Sequence, residues 1–187
     1  MKSIFPILFF VCTTLLFSAC VNDLKKIDEI ASQKNIGEEI GKNVEVHVSN
    51  DGIMRMKITA TETIHHSEGK NYTEFPKGIK AYSYNPAGDI ESSLTARYAV
   101  LNEVSGEIEG MLAKNDVVVV NAKGEKLNTE ELLWSQKKKL ISTPGFVKIT
   151  TSEQIIYGRG LDAKEDFSSY TIRQVTGKVK INTSDLP

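Results

Sequence analysis

Between Val44 and Ile181, apolar and polar residues alternate with a period of two in short runs, separated by Gly, Asn, Pro or Asp. In "VEVHV", Val44, Val46 and Val48 fall on one face and Glu45 and His47 on the other. Ser49-Asn50-Asp51-Gly52 supplies turn residues before "IMRMKITA", where Met54, Met56, Ile58 and Ala60 alternate with Arg55, Lys57 and Thr59. This spacing predicts a hairpin of half-buried strands. The same grammar predicts strands in "GIKAYSY", "DIESSLTARYAVLN", "DVVVVN", "KLISTPGFVKITT", "QIIYGRG" and "SSYTIRQVTGKVKI", with turns at Asn85-Pro86-Ala87-Gly88 and Ala122-Lys123-Gly124. "LNTEELLWSQKKKL" has the composition of a helix, but its flanking turns favour strands. Short strands at near-even spacing predict an all-β antiparallel sandwich or roll.

Two overlays add an internal repeat of strand pairs. Laying "DGIMRMKITA" over "AGDIESSLTA" sets Gly52 on Gly88, Ile58 on Leu94 and Ala60 on Ala96; a second overlay sets Val117, Val119 and Leu132 against Val147, Ile149 and Leu161. Stacked units of this kind bury their apolar faces on one another. Alternation makes Val46, Met56, Ile58, Leu94, Val119, Val147, Ile149 and Ile172 the positions that look inward. The run Val117 to Val120 is apolar on both faces, which fits a filled core or a strand facing a lumen.

The first residues follow another rule. Met1-Lys2 and an apolar stretch from Ile4 to Phe17 have the layout of a signal peptide, and the stretch is shorter than the roughly 20 residues a spanning helix needs. Ser18-Ala19-Cys20 at its end resembles the lipobox of bacterial lipoproteins, so residues 1–19 are expected to be removed and Cys20 to carry lipid. Cys12 would leave with the leader, and the mature chain would have no thiol to pair. Residues 20–43 then form the lipidated end and a charged tether with at most a short helix; 44–181 form the domain, and 182–187 a tail.

Chemistry is sparse in the 187 residues. Lys+Arg 23 against Asp+Glu 24 gives a formal charge of −1, spread along the chain, which argues against nucleic acid as a partner. Gly158-Arg159-Gly160-Leu161-Asp162-Ala163 formally matches a dinucleotide fingerprint, but no helical pattern follows it, so the glycines are expected at a bulge or crowded crossing. His65 and His66 are adjacent and read as a solvated turn, and His47 as a solvent-face residue. No nucleophile elbow, phosphate loop or zinc-protease motif occurs, so no catalytic residue, metal site or cofactor is expected.

A family resemblance fits this non-catalytic reading. The stretch "NDVVVVNAKGEKLNTEELLWSQKKKLISTPGFVKITTSEQIIYGRGLDAKEDFSSYTI" resembles the LptC family of lipopolysaccharide-export proteins. The features that carry it are Val117 to Asn121, Gly124-Glu125, Leu127, Thr129, Leu132, Trp134, Val147 to Ile149, Gly158, Gly160-Leu161, Phe167 and Tyr170. "SNDGIMRMKITA" and "FPKGIKAYSYNPAGDIESSLTARYA" fit the same pattern upstream.

The resemblance implies a twisted, V-shaped β-jellyroll of the kind shared by LptA and OstA-like proteins, with an apolar groove for lipopolysaccharide acyl chains. The eight inward positions would line that groove. It also implies edge-to-edge partners. Val44 and Val48 would lie at an edge meeting permease jellyrolls of the LptF/LptG type, and Ile172 and Val179 at an edge meeting an LptA-like bridge. The expected place is the periplasmic side of the inner membrane of a Gram-negative bacterium. An alternative of another class is a structural or adhesion-type β-sandwich lipoprotein that binds only a protein partner.

Overall fold

A computed structural model describes residues 37–181. Cys20, the leader, most of the tether and the tail 182–187 lie outside the described residues. The described chain is eleven antiparallel strands: β1 (Glu38–Asn50), β2 (Ile53–His66), β3 (Tyr72–Phe75), β4 (Ile79–Tyr84), β5 (Ile90–Ala96), β6 (Tyr98–Val104), β7 (Glu107–Asn121), β8 (Lys126–Ser135), β9 (Leu140–Thr150), β10 (Gln154–Lys164) and β11 (Tyr170–Lys180). The opening hairpin turns through Asp51 and Gly52, both at positive φ, the primed geometry that matches strand twist. The turn at Asn85 to Gly88 is closed by Gly88 N donating to Asn85 O at 3.0 Å, and that at Asn121 to Gly124 by Gly124 N donating to Asn121 O at 2.9 Å.

The strands form one sheet folded on itself. β2 pairs with β4 through Met56 to Thr59 and with β3 through Ile64 to His66; β7 pairs with β5 through Val118 to Asn121 and with β6 through Glu107 to Lys114. β3 with β4, and β5 with β6, therefore act as two long strands each broken once. The breaks line up across the sheet. Asn43 (φ 51), the Pro76 to Gly78 turn, Arg97, Asn115 (φ 62) and Asp116 (φ 56), Pro144-Gly145 and Gly160 (φ 68) fall at successive register positions. Asn, Asp and Gly tolerate the left-handed backbone that such a crease demands. On one side of the crease lies a layer built from the second half of β1, the first half of β2, β4, β5 and the second half of β7. The other layer contains β3, β6 and the first half of β7.

Keeping one face inward through the crease requires a device. Inward positions on β2 run Met56, Ile58, Ala60 and then Thr63; on β5 and β6, Leu94, Ala96 and then Ala99, Leu101; on β8, Leu127, Thr129 and then Leu132; on β10, Ile156, Gly158 and then Leu161, Ala163. Each of these steps once by an odd number of residues. β7 (Met111, Ala113, Val117, Val119) and β9 (Ile141, Thr143, Val147, Ile149) keep even spacing. A one-residue bulge shifts which side chains point inward, and here alternate strands use it to return apolar residues to the inner face. The buried Thr129 hydroxyl donates to Phe146 O at 2.9 Å, and Gly145 N donates to the Thr143 hydroxyl at 3.1 Å, so the broken ladder is satisfied locally.

The expected roll is therefore present, with three corrections. The first strand begins at Glu38, not at Val44: residues expected in the tether pair with β2 from Glu38↔His66 to Lys42↔Glu62, a ladder carried by backbone bonding with only weak apolar alternation to betray it. "DIESSLTARYAVLN" is two strands broken at Arg97, whose N–H donates across the crease to Asn115 O at 2.9 Å. His65 and His66 end β2 and are partly buried, so they do not form a solvated turn: His65 Nδ1 lies 3.0 Å from the Thr73 hydroxyl, and the His66 ring stacks on Tyr72 with centroids 4.3 Å apart. His47 lies on the solvent face, 2.6 Å from Glu45.

Candidate functional site

Opposite the crease the two layers part into a cleft of about 780 Å³. Its walls are Met56, Ala81 and Leu94 with Val119 from one layer, and Ile108, Met111, Leu132, Trp134 and Ile141 from the other. Its rim is polar. Arg55, Glu91, Glu107, Gln136, Lys139, Glu165 and Asp166 stand there, together with the hydroxyls of Ser83 and Ser92, which share a hydrogen bond of 2.8 Å. An apolar trough with a charged lip is suited to an amphiphile whose chains go in and whose polar head stays at the water, and its volume is in the range of ordinary ligand pockets. The alternation of the strands puts this trough there: a residue at every second position faces in, and its neighbours face solvent.

The eight inward positions belong to one interior, but they divide within it. Met56, Leu94 and Val119 line the cleft. Ile58 is buried beside them, and Val46 on β1 packs against the same core. Val147 and Ile149 on β9 are fully buried with Leu127, Leu161 and Phe167, so this end of the roll is filled. Ile172 packs half-buried against that filled end from β11. Sequence alternation gives direction but not depth, which is why it could not separate cleft from core. It also passed over Met111, Leu132, Trp134 and Ile141, whose inward direction rests on the β8 bulge and on the β6–β7 and β8–β9 register.

Strands β1 and β11 are the two edges, since among the described residues each pairs on one side alone. Val44 and Val48 on β1 sit opposite Ala60 and Met56 and face inward; on β11, Ile172 opposite Leu161 faces inward and Val179 opposite Ile155 faces outward. Val175, opposite Gly158, is an exposed inward residue, so apolar surface continues to the β11 edge. The glycines of "GRG" serve this edge: a Cβ on Gly158 would collide with the Ile172 side chain and sit 2.6 Å from Gln174 O, and Gly160 holds a left-handed bulge beside Arg173. They are packing residues, as the missing helical pattern implied.

Polar groups are paired elsewhere on the surface. Arg173 donates to both carboxylate oxygens of Asp162 at 2.8 and 2.6 Å, and that guanidinium holds Asp162 below the usual carboxylate range. Tyr98 donates to Glu74 at 2.7 Å, and chiefly for that reason its phenol is pushed up to about 12. Among the described residues no three His, Cys, Asp or Glu side chains converge as metal ligands would.

A family model described as "Lipopolysaccharide-assembly, LptC-related" matches residues 7–180. No curated protein matches the chain.

Proposed function

The chain belongs to the LptC family of lipopolysaccharide-assembly proteins, a non-catalytic part of lipopolysaccharide transport, and from this we propose that its cleft takes up lipopolysaccharide acyl chains and passes them toward the β11 edge. The observation that carries the reading is the trough between the layers, with Met56, Leu94, Met111, Val119 and Leu132 in its walls and charged residues on its rim. Burial is worth roughly 0.8 kcal/mol per methylene. An apolar trough can therefore hold a chain firmly yet let it slide, because each methylene that leaves is replaced by the next. Nothing in this step needs chemistry from the protein; the energy comes from elsewhere in the machine.

The two edges suit the partners that the family implies. Exposed strand edges are normally a hazard, and pairing with another jellyroll by strand addition turns them into docking surfaces. We assign the β1 edge, with Val44 and Val48, to permease jellyrolls of the LptF/LptG type, and the β11 edge, with Ile172 and Val179, to an LptA-like bridge. The lipobox-like sequence at Cys20 supports a lipid anchor in the inner membrane, with the domain on its periplasmic side. Cys20→Ala should then leave the leader uncleaved or release the protein from membranes; a mature-sized variant that stays on membranes rules the anchor out.

Native mass spectrometry of the purified domain with lipopolysaccharide tests the cleft. An adduct is expected for the wild type, reduced at least tenfold by Met56→Glu inside the trough and unchanged by Lys57→Glu on the outer face. No adduct from any of the three would favour the alternative, a sandwich that binds only protein, which the filled β9–β11 end would suit on its own; equal adducts from all three would mean that lipid is held outside the cleft.

A further inference from the structure

The trough is not continuous from β1 to β11. Toward β11 it is bordered by the loop Glu165 to Ser169 between β10 and β11, whose Glu165 and Asp166 line it. Phe167 in this loop is fully buried at positive φ (54), and its ring stacks on Tyr170 with centroids 5.1 Å apart. The carbonyl of Phe167 accepts a hydrogen bond of 3.0 Å from Asn121 Nδ2. Asn121 ends β7, on the opposite lip. The bond thus joins the two lips where the cleft stops. The loop is also pinned beside the open cleft, where Trp134 Nε1 donates to Glu165 at 3.2 Å and Glu165 N donates to Lys139 O at 3.3 Å. Beyond it the interior is filled by Val147, Ile149 and Leu161, and then opens again at Val175.

We propose that the loop Glu165–Ser169 is a gate: with Phe167 seated and Asn121 bonded across the mouth, acyl chains are confined to the cleft, and they reach the β11 edge only when the loop lifts out. This rests on the lipid-carrying reading above. Several features of the loop fit a part that moves as a unit. It is short, its ends are tied by Lys164 N to Ser169 O (3.1 Å) and Phe167 N to Lys164 O (2.9 Å), and one carbonyl bonds it to Asn121 on the far lip. Asn121 is suited to a reversible bolt. Its Oδ1 accepts from Lys123 N and Glu125 N, each at 3.0 Å, so the amide stays aimed at the mouth whether or not Phe167 is present. Lifting the loop would take the Phe167 ring off the interior and off Tyr170, which stays paired with Ala163 at the start of β11, and open a path past Ile172 to Val175.

Photo-crosslinking to purified lipopolysaccharide from position 56, in the cleft, and position 172, beyond the gate, tests the idea in the full-length protein. The wild type is expected to crosslink from 56 and only weakly from 172; Phe167→Ala should raise the yield at 172 at least fivefold while leaving 56 unchanged. Equal yields at 172 in the two proteins, high or low, overturn the gate, whereas no crosslink from 56 in either overturns the lipid-carrying reading itself. If Phe167→Ala does not fold, amide hydrogen exchange on the wild type decides. Lipopolysaccharide should speed exchange at Phe167 and Lys164 while β9 stays protected; unchanged or slower exchange there, with lipid crosslinked at 56, rejects the proposal.

Discussion

Ile149→Glu and Met56→Glu put the same charge on the same inner face and should have opposite consequences. Ile149 is wholly without exposure, flanked across the sheet by Leu127 on β8 and Ile156 on β10. Truncating a buried Ile costs about 2–5 kcal/mol through lost burial and the cavity left behind. A carboxylate with no partner there adds a desolvation penalty or must take up a proton. A total of about 5 kcal/mol or more would consume much of a typical domain's stability of about 5–15 kcal/mol. At roughly 2–4 °C per kcal/mol for a domain of this size, the melting temperature should drop by at least about 10 °C, or the variant should not fold. Met56 is half-buried on the wall of the cleft, where a carboxylate can reach water beside Arg55, so its variant should melt within about 4 °C of the wild type, the equivalent of about 1 kcal/mol. Circular dichroism melts of the three proteins check this. If Ile149→Glu melts with the wild type, water reaches β9, the C-terminal end is not filled, and the division between cleft and core is wrong.

Gly158→Ala should loosen β11, because the added methyl meets the Ile172 side chain and the Gln174 carbonyl; a loss of about 1–3 kcal/mol is expected, with faster amide exchange in Tyr170–Lys180, and unchanged exchange would contradict it. Tyr98 has a folded pKa near 12 against an ordinary 10.0, so its hydrogen bond to Glu74 contributes stability that is complete below pH 10 and lost as pH rises through 12; Tyr98→Phe should flatten that part of the pH–stability curve and remove a late-ionising phenol from an ultraviolet titration. Asp162 has the opposite sign: its pKa is lowered by Arg173, so that pair's contribution is present at neutral pH and lost as pH falls through the depressed value. Both groups are about half exposed and their attraction is screened by water, so Arg173→Gln should leave stability at neutral pH nearly unchanged and reduce the acid sensitivity of unfolding.

Most of the roll was legible in the chain because a period of two is a strong signal wherever one face is buried. The Asp51-Gly52 hairpin, the Asn85 to Gly88 turn and the overlays of Ile58 on Leu94 and Val119 on Ile149 all follow from it, and each overlaid pair is buried inside the roll. The crease was not legible. It depends on single extra residues, such as Arg97 or Gly160, that look like noise in a two-residue period yet preserve the inner face. The start of β1 was missed for a related reason: "EEIGKN" pairs through its backbone and shows little apolar alternation. The depth of each inward residue was hidden too, since whether Met56 meets a trough and Ile149 a packed core depends on the layer opposite. The gate illustrates this most clearly: Phe167 sits among polar residues in "KEDFSSY", and only the fold shows that it is buried.

Trp134 and Leu133 offer the most direct test of the account. They are neighbours on β8, but Trp134 pairs with Met111 and lines the cleft, whereas Leu133 pairs with Leu112 and stands exposed on the outer face. With a photo-reactive phenylalanine at each position in turn, in cells making lipopolysaccharide, position 134 should yield a lipopolysaccharide adduct and position 133 none. An adduct from 133 equal to that from 134, or from 133 alone, would mean that lipid meets the outside of the sheet and that the cleft is not its path.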